Sequence, residues 1–312
     1  MRLLDPALAD LAAAQGGAFS SSQAARFGVD RLDLHRLVAA GALTHVRRGA
    51  FLVAGALDGL TPEAGLALRA RAVLLSRPRR SWASHHAGLA VAQLPLVRLD
   101  LDRIDVCAVV RHESRSGTVT THPLPPREPC LLVGGVPSVS TETALVRTAV
   151  RHGGLKAAVV AADAALHRGL VSVDKIGEAA ARLDLGARST QRVDRLRSLV
   201  DPAAESPGES LTRLLLDGLG LDFRTQVDIR DAAGFVGRVD FLVEGRIVLE
   251  FDGLSKYAGA DGRGALAREK AREDRLRALG FEVVRLTWSD LDRPERVARL
   301  VREARVRARS RA

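Results

Sequence analysis

The chain has 312 residues, a formal net charge of +10 at pH 7 and a hydrophobic content of 46%. This length predicts two or three domains with packed cores, and the sequence lacks the apolar run of about 18 residues that a membrane-spanning helix needs. Two cysteines, Cys107 and Cys130, are too few for a disulfide framework or a zinc site. The N-terminal stretch carries acidic residues and does not have the pattern of a secretion signal, so we expect a cytoplasmic protein.

Residues 1–57 are predicted to form a small helical module that ends in a β-hairpin. Asp5 and Pro6 are typical of an N-cap and a first helical position, so a helix is expected to begin there. Two further helices are predicted in SSSQAARFG and DRLDLHRLVAAG, and two short strands in ALTHVRRGAFLV. The order of helix, short helix, turn, helix and two-stranded wing is that of a winged helix-turn-helix.

The third helix of this module has the pattern of a DNA-recognition helix. Leu34 and Leu37 are spaced to face the core. The opposite face offers three candidate base-contacting residues, which are Arg31, His35 and Arg36. Arg47 and Arg48 of the wing are candidates for contacts with the phosphate backbone. A helical docking module without affinity for DNA is the alternative that the pattern leaves open.

Residues 58–186 predict a middle domain of mixed α/β character. The adjacent His85 and His86 suggest a metal site at first sight. Neighbouring residues on a helix point apart, however, and the sequence shows no matching cluster of cysteines and histidines. We therefore expect the two histidines to be packing or surface residues.

Residues 187–206 are predicted to be a linker, because DPAAESPGES is rich in the residues that mark domain boundaries. Residues 207–312 predict a self-contained domain whose first helix has Ser206 and Glu209 as a capping box. Three strands, a helix, a strand and a basic C-terminal helix follow, which gives the order α-β-β-β-α-β-α and a mixed sheet. The fold class expected for the whole chain is α+β multidomain.

Three carboxylates lie in a stretch of the last domain that otherwise predicts a buried hairpin. The stretch is RVDFLVEGRIVLEFDG, residues 238–253, and it contains Asp240, Glu250 and Asp252. Buried carboxylates are costly unless they are paired, protonated or bound to a cation. Strand alternation places Glu250 and Asp252 on one face, and the hairpin can bring Asp240 alongside them. Oxygen ligands of this kind suit Mg²⁺ or Mn²⁺, which also bind phosphate oxygens and activate water.

This hairpin resembles the PD-(D/E)XK nuclease superfamily, and in particular its branch of small domains similar to very-short-patch-repair endonucleases. The resemblance rests on VDF, EFDG and EKAREDRLRALGFEVVRLTW and covers roughly residues 205–305. It implies a restriction-endonuclease-like fold in which Asp240 and Glu250 hold the metal and Glu209 completes its site. The capping box explains Glu209 equally well without a metal.

The sequence departs from the superfamily at the catalytic lysine. That lysine is expected two residues after Glu250, where this chain has Asp252. Lys256 and Lys270, two of only four lysines in the chain, are the candidates for an ammonium group supplied from a displaced position. A nuclease fold that keeps its acids without activity is the open alternative.

The N-terminal part is similar to antitoxins of the AbiEi type, which are winged-helix repressors of type IV toxin–antitoxin operons. The resemblance rests on GGAFSSSQAARFGVDRLDLHRLVAAGALTHVRRGAFLV and on the later segment SWASHHAGLAVAQLPL. It implies binding to operator DNA and a nucleotidyltransferase-like toxin as the protein partner.

Two functions therefore stay open after the sequence has been read. The first is a metal-dependent DNA endonuclease that hydrolyses phosphodiester bonds with water activated by Mg²⁺ or Mn²⁺. The second is a non-catalytic, AbiEi-like antitoxin and repressor whose nuclease-like domain binds DNA or a partner. Both take double-stranded DNA as the ligand, and neither a membrane nor a nucleotide cofactor is expected.

Overall fold

The computed structural model describes residues 4–77, 79–253 and 262–310 of the chain. They divide into two compact units, residues 1–200 and residues 201–312. The division lies within the stretch 187–206 that the sequence predicts as a linker, but most of that stretch is helical. Its Val193 and Leu196 are buried, because their spacing places both on one face of an amphipathic helix that packs within the first unit. None of the helices in the described ranges is long and apolar enough to cross a membrane.

The first unit is built from nine helices and nine strands in its described residues. The helices are α1 (Pro6–Ala14), α2 (Ser21–Ala25), α3 (Arg31–Ala39), α4 (Pro62–Leu75), α5 (His85–Val91), α6 (Thr141–Val150), α7 (Gly154–His167), α8 (Val173–Arg182) and α9 (Ala187–Leu199). The strands are β1 (Ala18–Ser20), β2 (Leu43–Arg47), β3 (Ala50–Val53), β4 (Ser81–Ala83), β5 (Ile104–Ala108), β6 (Ser114–Ser116), β7 (Val119–Pro123), β8 (Cys130–Val133) and β9 (Val136–Val139).

Helices α1 to α3 pack with a three-stranded antiparallel sheet of order β1-β3-β2. Asp5 caps α1 through hydrogen bonds from the amides of Ala7 and Leu8, as its position before Pro6 predicts. The core of this module includes Leu34 and Leu37 of α3. Strand β1 is an addition to the predicted elements, and its three residues are too few to show a strand periodicity in the sequence.

The remainder of the first unit contains a six-stranded sheet of order β6-β7-β5-β4-β9-β8. Strands β5 and β7 run parallel, and β4 pairs with β5 in the antiparallel direction. Every residue of α5 is buried, so the helix lies inside this domain. Helix α5 ends at Val91.

The second unit contains the predicted order α-β-β-β-α-β-α. Its elements are α10 (Pro207–Gly218), β10 (Phe223–Asp231), β11 (Gly234–Val243), β12 (Ile247–Phe251), α11 (Gly262–Ala278), β13 (Glu282–Leu286) and α12 (Pro294–Ser310). The sheet has the order β10-β11-β12-β13, and only the pairing of β12 with β13 is parallel. Apolar side chains on one face of the sheet pack against α10 and α12, and those on the other face pack against Leu276 of α11.

Candidate functional site

The exposed face of α3 carries the three candidate base-contacting residues. Leu34 and Leu37 are 3% and 6% exposed and therefore face the core, as predicted. Their burial turns the opposite side of the nine-residue helix outward. The side chains that this leaves exposed are Arg31, His35 and Arg36. Leu32, which is 56% exposed beside Arg31, adds an apolar group that the sequence interpretation missed.

The β2–β3 hairpin presents the two arginines of the predicted wing. Gly49 adopts a φ of +79°, a conformation that glycine reaches without strain, and it closes the turn between the strands. Arg48 in the turn is exposed, and Arg47 at the end of β2 is half-buried. The hairpin therefore offers positive charge next to a helix whose outer face is also basic.

In the second unit, Asp240 and Glu250 lie on neighbouring strands of one sheet. Phe241 pairs with Leu249 in the register of β11 and β12, so a continuation by one residue sets Asp240 opposite Glu250. Both side chains are partly buried. The Oδ2 atom of Asp240 accepts a hydrogen bond of 2.8 Å from the backbone amide of Phe251. The predicted proximity of these two acids therefore agrees with the strand pairing.

The charge of Glu250 is neutralised by arginines of the protein itself. Arg272 of α11 donates a hydrogen bond of 2.6 Å to Glu250 Oε1, and Nε of Arg285, the residue beside Glu250 on β13, lies 3.9 Å from Oε2. Burial lowers the pKa of Arg272, but the hydrogen bond to Glu250 and the charges of Glu250, Glu269 and Asp240 outweigh that effect and raise it above its ordinary value. Arg272 is thus held as a cation among three acids.

Glu209 lies in the capped first turn of α10, although its side chain accepts from the Ser206 hydroxyl and the Glu205 amide and not from the Ser206 amide that a capping box uses. Its Oε1 accepts a hydrogen bond of 2.7 Å from the Ser206 hydroxyl, and its backbone amide donates to Ser206 Oγ. Its Oε2 accepts from the amide of Glu205 at 3.0 Å and from Gln226 Nε2 at 2.8 Å. These bonds already engage both of its carboxylate oxygens at the start of α10.

The remaining catalytic candidates are Asp252, Lys256 and Lys270. Asp252 lies just beyond β12, where its backbone amide donates to the carbonyl of Leu286 at 2.8 Å. Lys256 lies outside the residues that the structure describes. Lys270 is exposed on α11. The group that offsets the charge of Glu250 is an arginine where the sequence led us to expect a lysine.

The metal ion that the nuclease resemblance implies needs several oxygen ligands around one point. Within the described ranges, no three ligand atoms from Asp240, Glu250, Asp252 and Glu209 gather within 4.8 Å of one another. Arg272 already donates a hydrogen bond to Glu250 Oε1, and Gln226 already donates one to Glu209 Oε2. In the described residues, the positive group beside Glu250 is therefore the Arg272 guanidinium.

The described residues contain one group of metal-ligand type, and it lies in the first unit. One ligand atom from each of His85, Asp105 and His122 lies within 4.8 Å of the others, and all three residues are buried. Asp105 is on β5 and His122 on the parallel strand β7, while His85 begins α5. His85 has a φ of +51°, a backbone strain of the order of 1 kcal/mol for a residue with a side chain.

Asp105 is the centre of a buried hydrogen-bond network. Its Oδ1 lies 2.6 Å from His122 Nε2, and its Oδ2 lies 2.7 Å from Arg151 Nη1 and 3.1 Å from His86 Nδ1. The second nitrogen of His122, Nδ1, faces Glu113 Oε2 at 2.8 Å. An aspartate that is 0% exposed is therefore paired on both of its oxygens.

Burial has opposite consequences for the two kinds of titratable group in this network. Burial by itself would raise the pKa of Asp105, but the hydrogen bonds from His122 and His86 outweigh it and lower the pKa well below its ordinary value. For His85, burial lowers the pKa well below its ordinary value, and the electrostatic influence of the neighbouring His122 acts in the same direction. Asp105 is thus held as the anion and His85 as the neutral ring.

The sequence interpretation missed this cluster. It expected His85 and His86 to be packing or surface residues, and both are indeed buried. The matching ligands are supplied by Asp105 and His122, which the pairing of β5 with β7 brings close. The available signal was an aspartate within the otherwise apolar strand RIDVCAVV.

In a comparison with protein families, residues 6–54 match the family described as transcriptional regulator, AbiEi antitoxin. The matched range contains α1 to α3 and the hairpin of β2 and β3. A comparison of the chain with curated proteins finds no match. The family match supports a DNA-binding regulator and covers the part of the chain that carries the basic face of α3.

Proposed function

We propose that the protein is a transcriptional regulator that binds operator DNA through residues 1–57 as a winged helix-turn-helix. The observation that carries the proposal is the basic outer face of α3, which lies over buried leucines and is followed by the β2–β3 hairpin. The same residues fall within the match to the regulator family. A nucleotidyltransferase-like toxin as a protein partner is part of this proposal.

The residues divide into two roles by their position. In the proposal, α3 enters the major groove, where an arginine can bind a guanine edge with two hydrogen bonds. Arg31, His35 and Arg36 are the residues that face the bases, and Leu32 can pack on a thymine methyl group. Arg47 and Arg48 contact phosphates of the DNA backbone. These contacts fix the position of the helix in the groove but do not distinguish one base sequence from another.

In the same proposal, the second unit is a nuclease-like domain that binds DNA or a partner without cleaving it. Arg272 supports this reading because it supplies a cation to Glu250 from within the chain. A second candidate is a metal-dependent endonuclease in which Asp240 and Glu250 hold Mg²⁺ or Mn²⁺. The observation that favours it is the strand register that sets these two acids side by side.

The proposal is tested by measuring the affinity of the full chain for duplex DNA from upstream of its own gene, by fluorescence anisotropy. We expect Arg31→Ala and Arg36→Ala each to weaken specific binding about 10- to 100-fold, since a good base contact contributes about 1–3 kcal/mol. Arg48→Ala should weaken specific and random duplexes alike and reduce the dependence of the affinity on salt.

The matched control is Arg111→Ala, which removes one exposed arginine of the first unit outside α3 and the hairpin. It should leave the specific affinity nearly unchanged, because the net charge alone gives only non-specific attraction. Equal losses in Arg111→Ala and Arg36→Ala would contradict a recognition role for α3.

A further inference from the structure

We infer that His85, Asp105 and His122 form a metal site in the first unit, with Zn²⁺ as the ion that fits the ligands best. Two imidazole nitrogens and one carboxylate oxygen are a ligand set that zinc accepts, with a fourth position left for water or another ligand. The three ligand atoms already lie within 4.8 Å of one another. This inference is independent of the proposed function in DNA binding.

The two histidines are held as metal-binding histidines usually are. A ligating histidine typically directs its other ring nitrogen to a carboxylate or another polar partner, which fixes the ring and its tautomer. His122 has Nε2 toward Asp105 and Nδ1 toward Glu113 Oε2 at 2.8 Å. The Nδ1 atom of His85 lies 3.1 Å from the Ser84 hydroxyl, which leaves Nε2 without a hydrogen-bond partner in the described residues.

The carboxylate is held in the same way. Asp105 Oδ2 is fixed by Arg151 at 2.7 Å and by His86 at 3.1 Å, while Oδ1 faces only His122 in the bonds that the structure gives. Outer contacts of this kind orient a ligating carboxylate and leave its other oxygen for the metal. Each of the three ligands therefore has a partner that positions it.

The ligand atoms would need only a small displacement to bind an ion. A proton now lies between His122 Nε2 and Asp105 Oδ1, which are 2.6 Å apart. Two ligands about 2.1 Å from a tetrahedral zinc ion lie roughly 3.4 Å from each other. For the ion to replace that proton, the distance between His122 Nε2 and Asp105 Oδ1 would need to increase by less than about 1 Å.

The test is a titration of the full chain with Zn²⁺, monitored by calorimetry. A parallel titration with Co²⁺, a spectroscopic probe, is monitored by visible absorption. All proteins carry Asp240→Asn and Glu250→Gln, so that the acids of the second unit cannot bind the ion. We expect one equivalent of metal and a tetrahedral Co²⁺ spectrum. His85→Gln and His122→Gln should each lower the affinity at least 100-fold, because each removes a direct ligand.

Glu113→Gln keeps the test decisive if the buried histidine variants do not fold. Its side chain is 62% exposed, and its removal should lower the affinity about 10- to 100-fold, the usual effect of losing the outer partner of a ligating histidine. His112→Gln, at the exposed neighbouring position, is the matched control and should bind as the unsubstituted protein does. The inference is overturned if the folded protein binds no metal, or if Glu113→Gln leaves the affinity unchanged.

Discussion

Asp105 and Glu250 are carboxylates in the middle of sheets, yet their surroundings differ. Asp105 is fully buried and meets two histidines and an arginine. Glu250 is partly exposed and meets two arginines. Arginine has no acceptor atom and stays charged, whereas histidine can exchange a proton for a metal ion. The partners of a carboxylate, more than its burial, therefore indicate which kind of site it belongs to.

The largest effect in this comparison is expected from Asp105→Asn. The substitution removes the charge that pairs with Arg151, His86 and His122 in a fully buried place. Loss of one partner of a buried ionic network costs about 3–5 kcal/mol. Urea denaturation of the full chain should show this loss in the transition of the first unit, whereas Asp102→Asn, at an exposed position nearby, should stay within about 0.5 kcal/mol.

The equivalent change in the second unit is Arg272→Gln, which should cost less because the cluster is partly exposed. We expect a loss of about 2 kcal/mol in the free energy of unfolding, since Arg285 is then the remaining cation paired with Glu250 among the described residues. The unpaired acids should then gain affinity for Mn²⁺, so that added Mn²⁺ restores part of the stability. Arg268→Gln, at an exposed position on the same helix, is the control and should show neither effect.

A third carboxylate, Asp290, shows how pairing without a metal affects stability in acid. Burial by itself would raise the pKa of Asp290, but hydrogen bonds from Thr287 and from Arg296 outweigh it and lower the pKa below its ordinary value. A carboxyl whose pKa is lowered by folding stabilises the protein above its unfolded pKa, and this contribution is lost as the pH falls through its folded pKa.

We therefore expect the second unit to lose about 1–2 kcal/mol through Asp290 as the pH falls below about 4. The measurement is the urea midpoint as a function of pH. In Asp290→Asn this part of the acid sensitivity should be absent, and an unchanged pH profile in the variant would contradict the assignment.

The smallest effect is expected from Lys270→Ala. Lys270 is exposed on α11, and Arg272 supplies the charge that pairs with Glu250. Both the stability and the affinity for DNA should change by less than about 0.5 kcal/mol. A loss of any DNA-cleaving activity in Lys270→Ala would instead indicate that this lysine works as the displaced catalytic amine.

Features that depend on neighbouring residues were predictable from the sequence. Asp5 before Pro6 and Ser206 before Glu209 form the caps that their residue types predict. The alternation along RIVLEFDG places Leu249 and Glu250 on opposite faces of the sheet, because side chains in a strand alternate. These features follow from local rules and can be predicted without knowledge of the tertiary contacts.

Features that depend on distant residues were not predictable in this way. The partner of Glu250 is Arg272, which reaches it only because α11 packs on that face of the sheet. The partners of Asp105 come together through the parallel pairing of β5 with β7 and the burial of α5. Local sequence spacing does not indicate that β5 pairs with β7, so the cluster of His85, Asp105 and His122 emerged only from the fold.

In the proposed function, the chain binds DNA as a regulator and does not cleave it. In the most direct measurement, the full chain is incubated with supercoiled DNA that contains its specific site, in the presence of Mg²⁺ or Mn²⁺. DNA binding and strand breaks are then measured in the same samples. We predict bound, intact DNA, with the same result for Asp240→Asn/Glu250→Gln and loss of binding for Arg31→Ala/Arg36→Ala. Metal-dependent strand breaks that disappear in Asp240→Asn/Glu250→Gln would contradict the claim and establish the endonuclease.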